Sequence, residues 1–289
     1  MIKLSRGEKI FDVFNILLLV LLSALFLLPF IVVLSSSFMS PEEYAWRGSF
    51  VLIPERWDLG AYRLLFARSN ALTNAFAVTL FRVSVGTFLN LAFTSTMAYV
   101  LARRTLPFRT GLTLIVFITM IFGGGLIPTF LLVDALHLTD SVWAMIVPSL
   151  VNAYWMLLLR NFFMSIPEEM EEAAIMDGAS PQVIYWKIAL PLSLPALATI
   201  GLFYAVMHWN AWFDAAIYLS DPQKYPMQLL LRGLLALTSA EQLGVTEHPP
   251  PAEALKSAMI IVTTVPILLV YPFVQRYFVK GIMVGSIKG

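Results

Sequence analysis

The chain has 289 residues, of which 59% are hydrophobic and 13% charged, with 19 Lys and Arg against 18 Asp and Glu. Soluble domains are about 45–50% apolar, and one core cannot hide the excess, so a multi-span membrane protein is predicted. A net charge of +1 speaks against a nucleic-acid-binding face, and the absence of cysteine excludes disulfides, thiolate catalysis and Cys-type zinc sites. The histidines, His137, His208 and His248, are too scattered to form a metal pair.

The first apolar run, Ile16 to Leu34, is broken only by Ser23 and Pro29. Lys3, Arg6 and Lys9 precede it as they would a signal peptide, but the run is long and Ser35-Ser36-Ser37 offers no small-x-small cleavage site, so a retained anchor is expected. Further runs cover Ala75 to Leu101, Leu112 to Val133, Val142 to Leu159, Leu192 to Phe213 and Met259 to Phe278. The prediction is therefore an all-α membrane protein, one transmembrane domain with six helices. Basic residues sort the connections. Arg103, Arg104 and Arg109 follow the second run, Arg160 and Lys187 bracket the loop 160–191, and Arg276, Lys280 and Lys288 close the chain. The stretch Asp134 to Asp140 has no Lys or Arg. This alternation predicts that both termini and the loop 160–191 are cytoplasmic.

Two longer connections then face outward, about Ser35 to Asn70 and Asp214 to Lys256. Trp57 to Phe66 has the pattern of a helix lying on the membrane surface. Leu229 to Leu237 is too short to span and is expected to pack on the outer ends of the helices, and His248-Pro-Pro-Pro251 marks a stiff turn. No internal repeat or soluble domain is visible.

The loop 160–191 carries the chemistry. Ser165 and Glu168 have capping-box spacing, with Pro167 in the first turn. Glu168, Glu169, Glu171 and Glu172 fill the first two turns, and the small Ala173 and Ala174 leave a surface on which another protein can pack. Gly178 is placed to end the helix at positive φ. Ser180 caps a second helix opening with Pro181 and running through Tyr185, Trp186 and Ile188. Read by itself, this is a helix–Gly–helix hairpin between two spans.

The residues Glu172-Ala173-Ala174, Asp177-Gly178 and Ile188-x-Leu190-Pro191 stand at the offsets of a known motif. Through them the chain resembles the inner-membrane permeases of carbohydrate ABC importers, especially the smaller permease of maltose-type systems, over nearly its whole length. The resemblance implies a type I importer permease fold, working by alternating access, with short cytoplasmic coupling helices. Glu172, Ala173, Ala174, Asp177 and Gly178 would form the element seated in a cleft of the ATPase, completed by Ile188, Leu190 and Pro191. It also implies a second homologous permease, two ATP-binding subunits and a solute-binding protein as partners. ATP and Mg would be held by the ATPase chains, since this chain has no G-x-x-x-x-G-K-[ST] loop and needs no cofactor of its own. In maltose-type relatives a C-terminal tail reaches between the ATPases; Val279-Lys280-Gly281 and Ile287-Lys288-Gly289 match it.

Substrate contacts are less legible. Gly123-Gly124-Gly125 before Pro128 permits a close backbone approach or a broken helix, and resembles a subgroup importing complex or acidic oligosaccharides such as alginate fragments. Asn152, Tyr154, His208 and Asn210 offer polar tips suited to sugar hydroxyls, with interfacial anchoring the competing role for Trp209 and Trp212. Arg82 is the basic residue well inside a run and a functional candidate as any intramembrane charge is, but it lies near one end of its run, so snorkelling outward is the preferred expectation. A secondary transporter or channel subunit is the alternative function, but it would be expected to carry acids within its spans, and none is found there.

Overall fold

The computed structural model describes residues 6–48, 50–67, 69–242 and 253–286. Among them the chain is helical throughout, without a strand. It divides into two compact units, Met1–Ser69 with Gly233–Pro266, and Asn70–Arg232 with Ile267–Gly289. The predicted turn at His248 to Pro251 and the last three residues, Ile287 to Gly289, lie outside the described residues.

In the first unit, α1 (Arg6–Ser36) contains the run from Ile16. Its apolar side chains are exposed on every face, Leu21 by 69% and Phe26 by 70%. Lipid, which needs no burial of such a surface, is the solvent this helix fits. α2 (Pro41–Arg47) starts on the Ser40 side chain, which accepts from the Glu43 N–H at 3.2 Å, and stops at Gly48 with φ +75°. The buried Glu43 carboxylate accepts from Arg47 Nη1 at 2.8 Å and from the Glu55 N–H at 2.9 Å. That N–H first, then the guanidinium, holds Glu43 below the usual carboxylate range despite its burial. α3 (Gly60–Ala67) begins where Asp58 caps the Gly60 N–H.

The second unit is organised around α4 (Ser69–Ala102), which contains the predicted second span. The third run is two helices, α5 (Arg109–Ile121) and α6 (Leu126–Ala135), bent by 112°. Gly125 turns the chain at φ +83°, and no heavy atom lies within 4 Å of a Cβ built on Gly123 or Gly125. The glycines thus serve the break rather than a close approach. The fourth run is a pair of 3₁₀ turns, Val142–Met145 and Val147–Ser149, followed by α7 (Ala153–Met164), with a 50° bend. α8 (Glu168–Met176) and α9 (Pro181–Ile184) come next. α9 continues through a π turn, Tyr185–Ala189, and α10 (Leu190–Leu192) into α11 (Leu194–Asn210) with an 80° bend. α12 (Phe213–Tyr218) follows, and α13 (Met227–Gln242) and α14 (Glu253–Ser286), whose residues are divided between the two units, complete the order. Among the described residues, three helices are long and apolar enough to cross a membrane alone, or up to 6 spans if each bent pair is one. The core of this unit gathers Ala98, Met156, Leu159, Ile184, Ile200 and Tyr204, where α4, α7, α9 and α11 meet.

Candidate functional site

The helix α8 closes as its sequence requires. Gly178 has φ +79°, its N–H reaches Ile175 O at 2.9 Å, and the Ala179 N–H reaches Ala174 O at 2.9 Å. These are the paired bonds of a Schellman end, for which glycine is favoured. Ser180 then accepts from the Val183 N–H at 3.4 Å. The expected capping box does not form. Ser165 Oγ donates back to Phe162 O at 2.7 Å, and α8 starts at Pro167 without a side-chain cap. Ser165 ends α7 in a helical conformation, so its hydroxyl is turned away from α8.

The acids of α8 divide between two faces. Glu168 and Glu171, three apart, face the end of α4, where Arg104 pairs with Glu168 at 3.0 Å and Arg103 stands 3.9 Å from Glu171. A cavity of about 470 Å³ lies behind this contact, lined by Tyr99, Arg103, Phe163 and the acids. Glu169 and Glu172, also three apart, are exposed and have no ion pair among the described residues. Beside them Ala173, Asp177 and Gly178 are exposed, with Ile175 52% and Met176 87% exposed. Ile188 and Leu190 are half-buried against the core, and Pro191 is exposed. Tyr185 ties this segment to α4 through Ser95 Oγ at 2.8 Å.

A second constellation escaped the sequence. Arg82 is 1% exposed rather than snorkelled outward. Its guanidinium forms an ion pair with Asp214 through Nη2 and donates through Nη1 to Asp214 Oδ1 and to Ala211 O, each at 3.2 Å. Its Nε donates to His208 Nδ1 at 3.4 Å. That leaves the proton on His208 Nε2, which meets Asn90 Oδ1 at 2.7 Å, and Asn90 Nδ2 donates to Ser149 O at 2.6 Å and Leu150 O at 3.0 Å. Further along α4, Thr94 shares a 2.7 Å bond with the Tyr204 hydroxyl, which accepts the Asn152 N–H at 2.9 Å. Arg82, Gly86, Asn90 and Thr94 are four apart and form one ridge of α4. Their partners include the carbonyls and amide freed where the fourth and fifth runs break. At membrane depth each such group costs several kcal/mol unless a neighbour satisfies it. Gly86 makes room for the ridge, since a Cβ there would stand 2.6 Å from His208 Nε2. Gly86→Ala is therefore expected to destabilise the chain by about 1–3 kcal/mol. Thermal unfolding in detergent checks this, and an unchanged midpoint would contradict it.

The family model for binding-protein-dependent transport system inner membrane components matches residues 91–284. The chain belongs to this family. The polygalacturonan/rhamnogalacturonan transport system permease protein YtcP of Bacillus subtilis (strain 168) is 44% identical over 286 residues, 98% of this chain and 99% of that one. Protein LplC of the same organism is 42% identical over 288 residues, 99% and 97% of the two chains. Among solved structures, a chain of a bacterial ABC transporter involved in the import of the acidic polysaccharide alginate matches with a TM-score of 0.85 at 32% identity, covering 96% of this chain and 100% of that one. The chain is thus a permease component of a transport system, and the secondary-transporter and channel readings are set aside.

The four polar residues suggested for a solute path are dispersed in the permease. His208 is fully buried and held between Arg82 and Asn90, so it presents no surface to a passing solute. Asn152 caps α7 through the Trp155 N–H at 3.1 Å. Tyr154 is 58% exposed, and Asn210 is exposed with its amide donating to Val206 O at 2.9 Å. Lys280 and Gly281 lie within α14. No group of three His, Asp or Glu residues suited to a metal converges among the described residues.

At the opposite end of this unit from α8, Asp140 (φ +53°) joins two loops of the permease. It accepts from Lys224 Nζ at 2.7 Å and from the Ser220 and Asp221 N–H groups at 3.0 Å. Lys224 first, then the two N–H groups, lowers its pKa from 3.8 to about 2. A lowered folded pKa means that this contribution is complete above pH 3.8 and is lost as pH falls through about 2. The same contact raises Lys224 above 10.5, so its share is complete below that pH and lost as pH rises through the raised value. The difference in unfolding midpoint between wild type and Asp140→Asn is expected to vanish in the acid window. A difference constant down to pH 2 would contradict the assignment.

Proposed function

We propose that this permease is the transmembrane subunit of an ATP-driven, binding-protein-dependent importer of oligosaccharides, forming half of the pore and coupled to a separate ATPase through α8. The observation that carries the reading is the exposed face of α8. Glu169, Glu172, Ala173, Ile175 and Met176 lie on a short helix held between membrane-spanning runs, and Glu169 and Glu172 have no ion pair among the described residues. An apolar patch rimmed by unpaired charge suits a protein partner. On this reading the loop 160–191 and both termini are cytoplasmic, in agreement with the basic residues of the short loops. The partners are a second permease, two ATP-binding subunits that hold ATP and Mg, and a solute-binding protein at the outer face. Glu172 makes a charge-assisted contact with a basic group of the ATPase. Lys280 and Gly281 belong to a C-terminal segment directed at the ATPases, and Asn152, Tyr154 and Asn210 are the residues of this chain offered to the sugar.

The names of the relatives favour acidic oligosaccharides, since polygalacturonan and alginate are both polyuronates. Co-expression of the permease with its paired permease, ATPase and binding protein tests the reading. The ATPase is expected to co-purify, and its hydrolysis to rise with binding protein plus oligogalacturonate but not with a neutral maltooligosaccharide. A permease that purifies without an ATPase would sink the proposal, and equal stimulation by neutral sugars would remove its acidic part.

A further inference from the structure

The ridge on α4 does more than satisfy broken backbone. α4 runs unbroken for 34 residues, about 51 Å at 1.5 Å per residue. Near one end it holds the coupling segment through Ser95 with Tyr185, and the two residues that follow it add Arg103 with Glu171 and Arg104 with Glu168. Near the other it holds the outer segment, through Arg82 with Asp214 and through Thr79 Oγ1, which accepts the Met227 N–H at 2.9 Å. The route through the fifth run is different in kind. It bends by 80° at Ser193, and the helix stops again at Ala211, which is extended at ψ 130°. A displacement passing from α10 through α11 meets two joints before it reaches α12. Arg82 bridges the second joint, since one guanidinium holds Ala211 O on one side of it and Asp214 on the other.

We propose that Arg82 is a positioning residue that clamps the outer segment Phe213 to Lys224 onto α4, so that movement of the coupling segment reaches the outer face as a rigid-body displacement. This rests on the reading of α8 as the ATPase contact. Arginine suits the task because its planar fork serves both Asp214 oxygens and Ala211 O while Nε reaches His208. A lysine at the same place carries the charge but not the simultaneous geometry.

The chain has no cysteine, so spin labels can be placed on the full importer in nanodiscs with cysteine-free partners. Phe88, 70% exposed on α4, and the exposed Gln223 form the reporting pair. In the wild type, one narrow distance is expected, the same without nucleotide and in the ATP–vanadate state. In Arg82→Gln it is expected to broaden and to become nucleotide-dependent, and Arg82→Lys is expected to restore it in part. A wild-type distance that changes between the two states overturns the proposal. So does an Arg82→Gln variant that melts earlier yet keeps the narrow, invariant distance, because that is the signature of a merely structural residue. Should Arg82→Gln not assemble, the wild-type and Arg82→Lys distances decide, with an unaltered Arg82→Lys distribution counting against the clamp. A second pair, Met176 with a label on the ATPase, reports the coupling itself. No nucleotide response there sinks the reading of α8, whereas a response there with a mobile 88–223 pair sinks only the clamp.

Discussion

Asp214→Ala is expected to destabilise the permease by about 3–5 kcal/mol, the cost of leaving a buried charge without its partner. The side chain of Arg82 is 2% exposed and that of Asp214 29%. Removing the acid strands a guanidinium that water cannot reach. Removing the base leaves a carboxylate that water already touches, so Arg82→Gln is expected to cost about 1–3 kcal/mol, chiefly for lost hydrogen bonds to buried acceptors. Thermal unfolding of both variants in detergent measures the asymmetry. Equal shifts, or a larger loss for Arg82→Gln, would mean that the hydrogen bonds to Ala211 and Met145 outweigh the charge.

The second large effect is on transport. Glu172→Lys reverses an exposed charge with no ion-pair partner among the described residues, so the fold has little to lose. Breaking one partner of a charge pair across an interface costs about 2–5 kcal/mol, so uptake is expected to fall about 100-fold with the membrane level unchanged. Gly178→Val should act through the backbone instead. A Cβ there meets nothing within 4 Å, but the φ of +79° strains a β-branched residue by about 1–2 kcal/mol and opens the turn that ends α8. Uptake measured beside immunoblots of the membrane fraction separates the cases. Normal uptake by both variants would remove α8 from the coupling role.

Much of the segment around α8 was legible because its determinants are local. Gly178 must supply a positive φ, Ser180 a cap and Glu172 a free acid, and each acts within about four residues of itself along the chain. The failed capping box shows the limit of such reasoning. Ser165 had an equally local alternative in Phe162 O, and the sequence alone does not rank the two. Among the three broken runs, the one at Gly123 to Gly125 announced itself, because glycine marks a break by its own conformational freedom, and the bend at Ser193 lies between Pro191 and Pro195.

The breaks at Leu150 to Asn152 and at Ala211 have no such marker. They persist because Asn90, Tyr204 and Arg82 satisfy the freed groups from 52 to 129 residues away. The sequence by itself determined a multi-span helical permease and the Gly178 turn that ends α8, since apolar length and local turn residues are written in consecutive residues. Only the tertiary structure decided the placement of Arg82. Whether an intramembrane cation turns outward or is buried in an ion pair depends on the carboxylate it meets, and Asp214 lies 132 residues further along the chain.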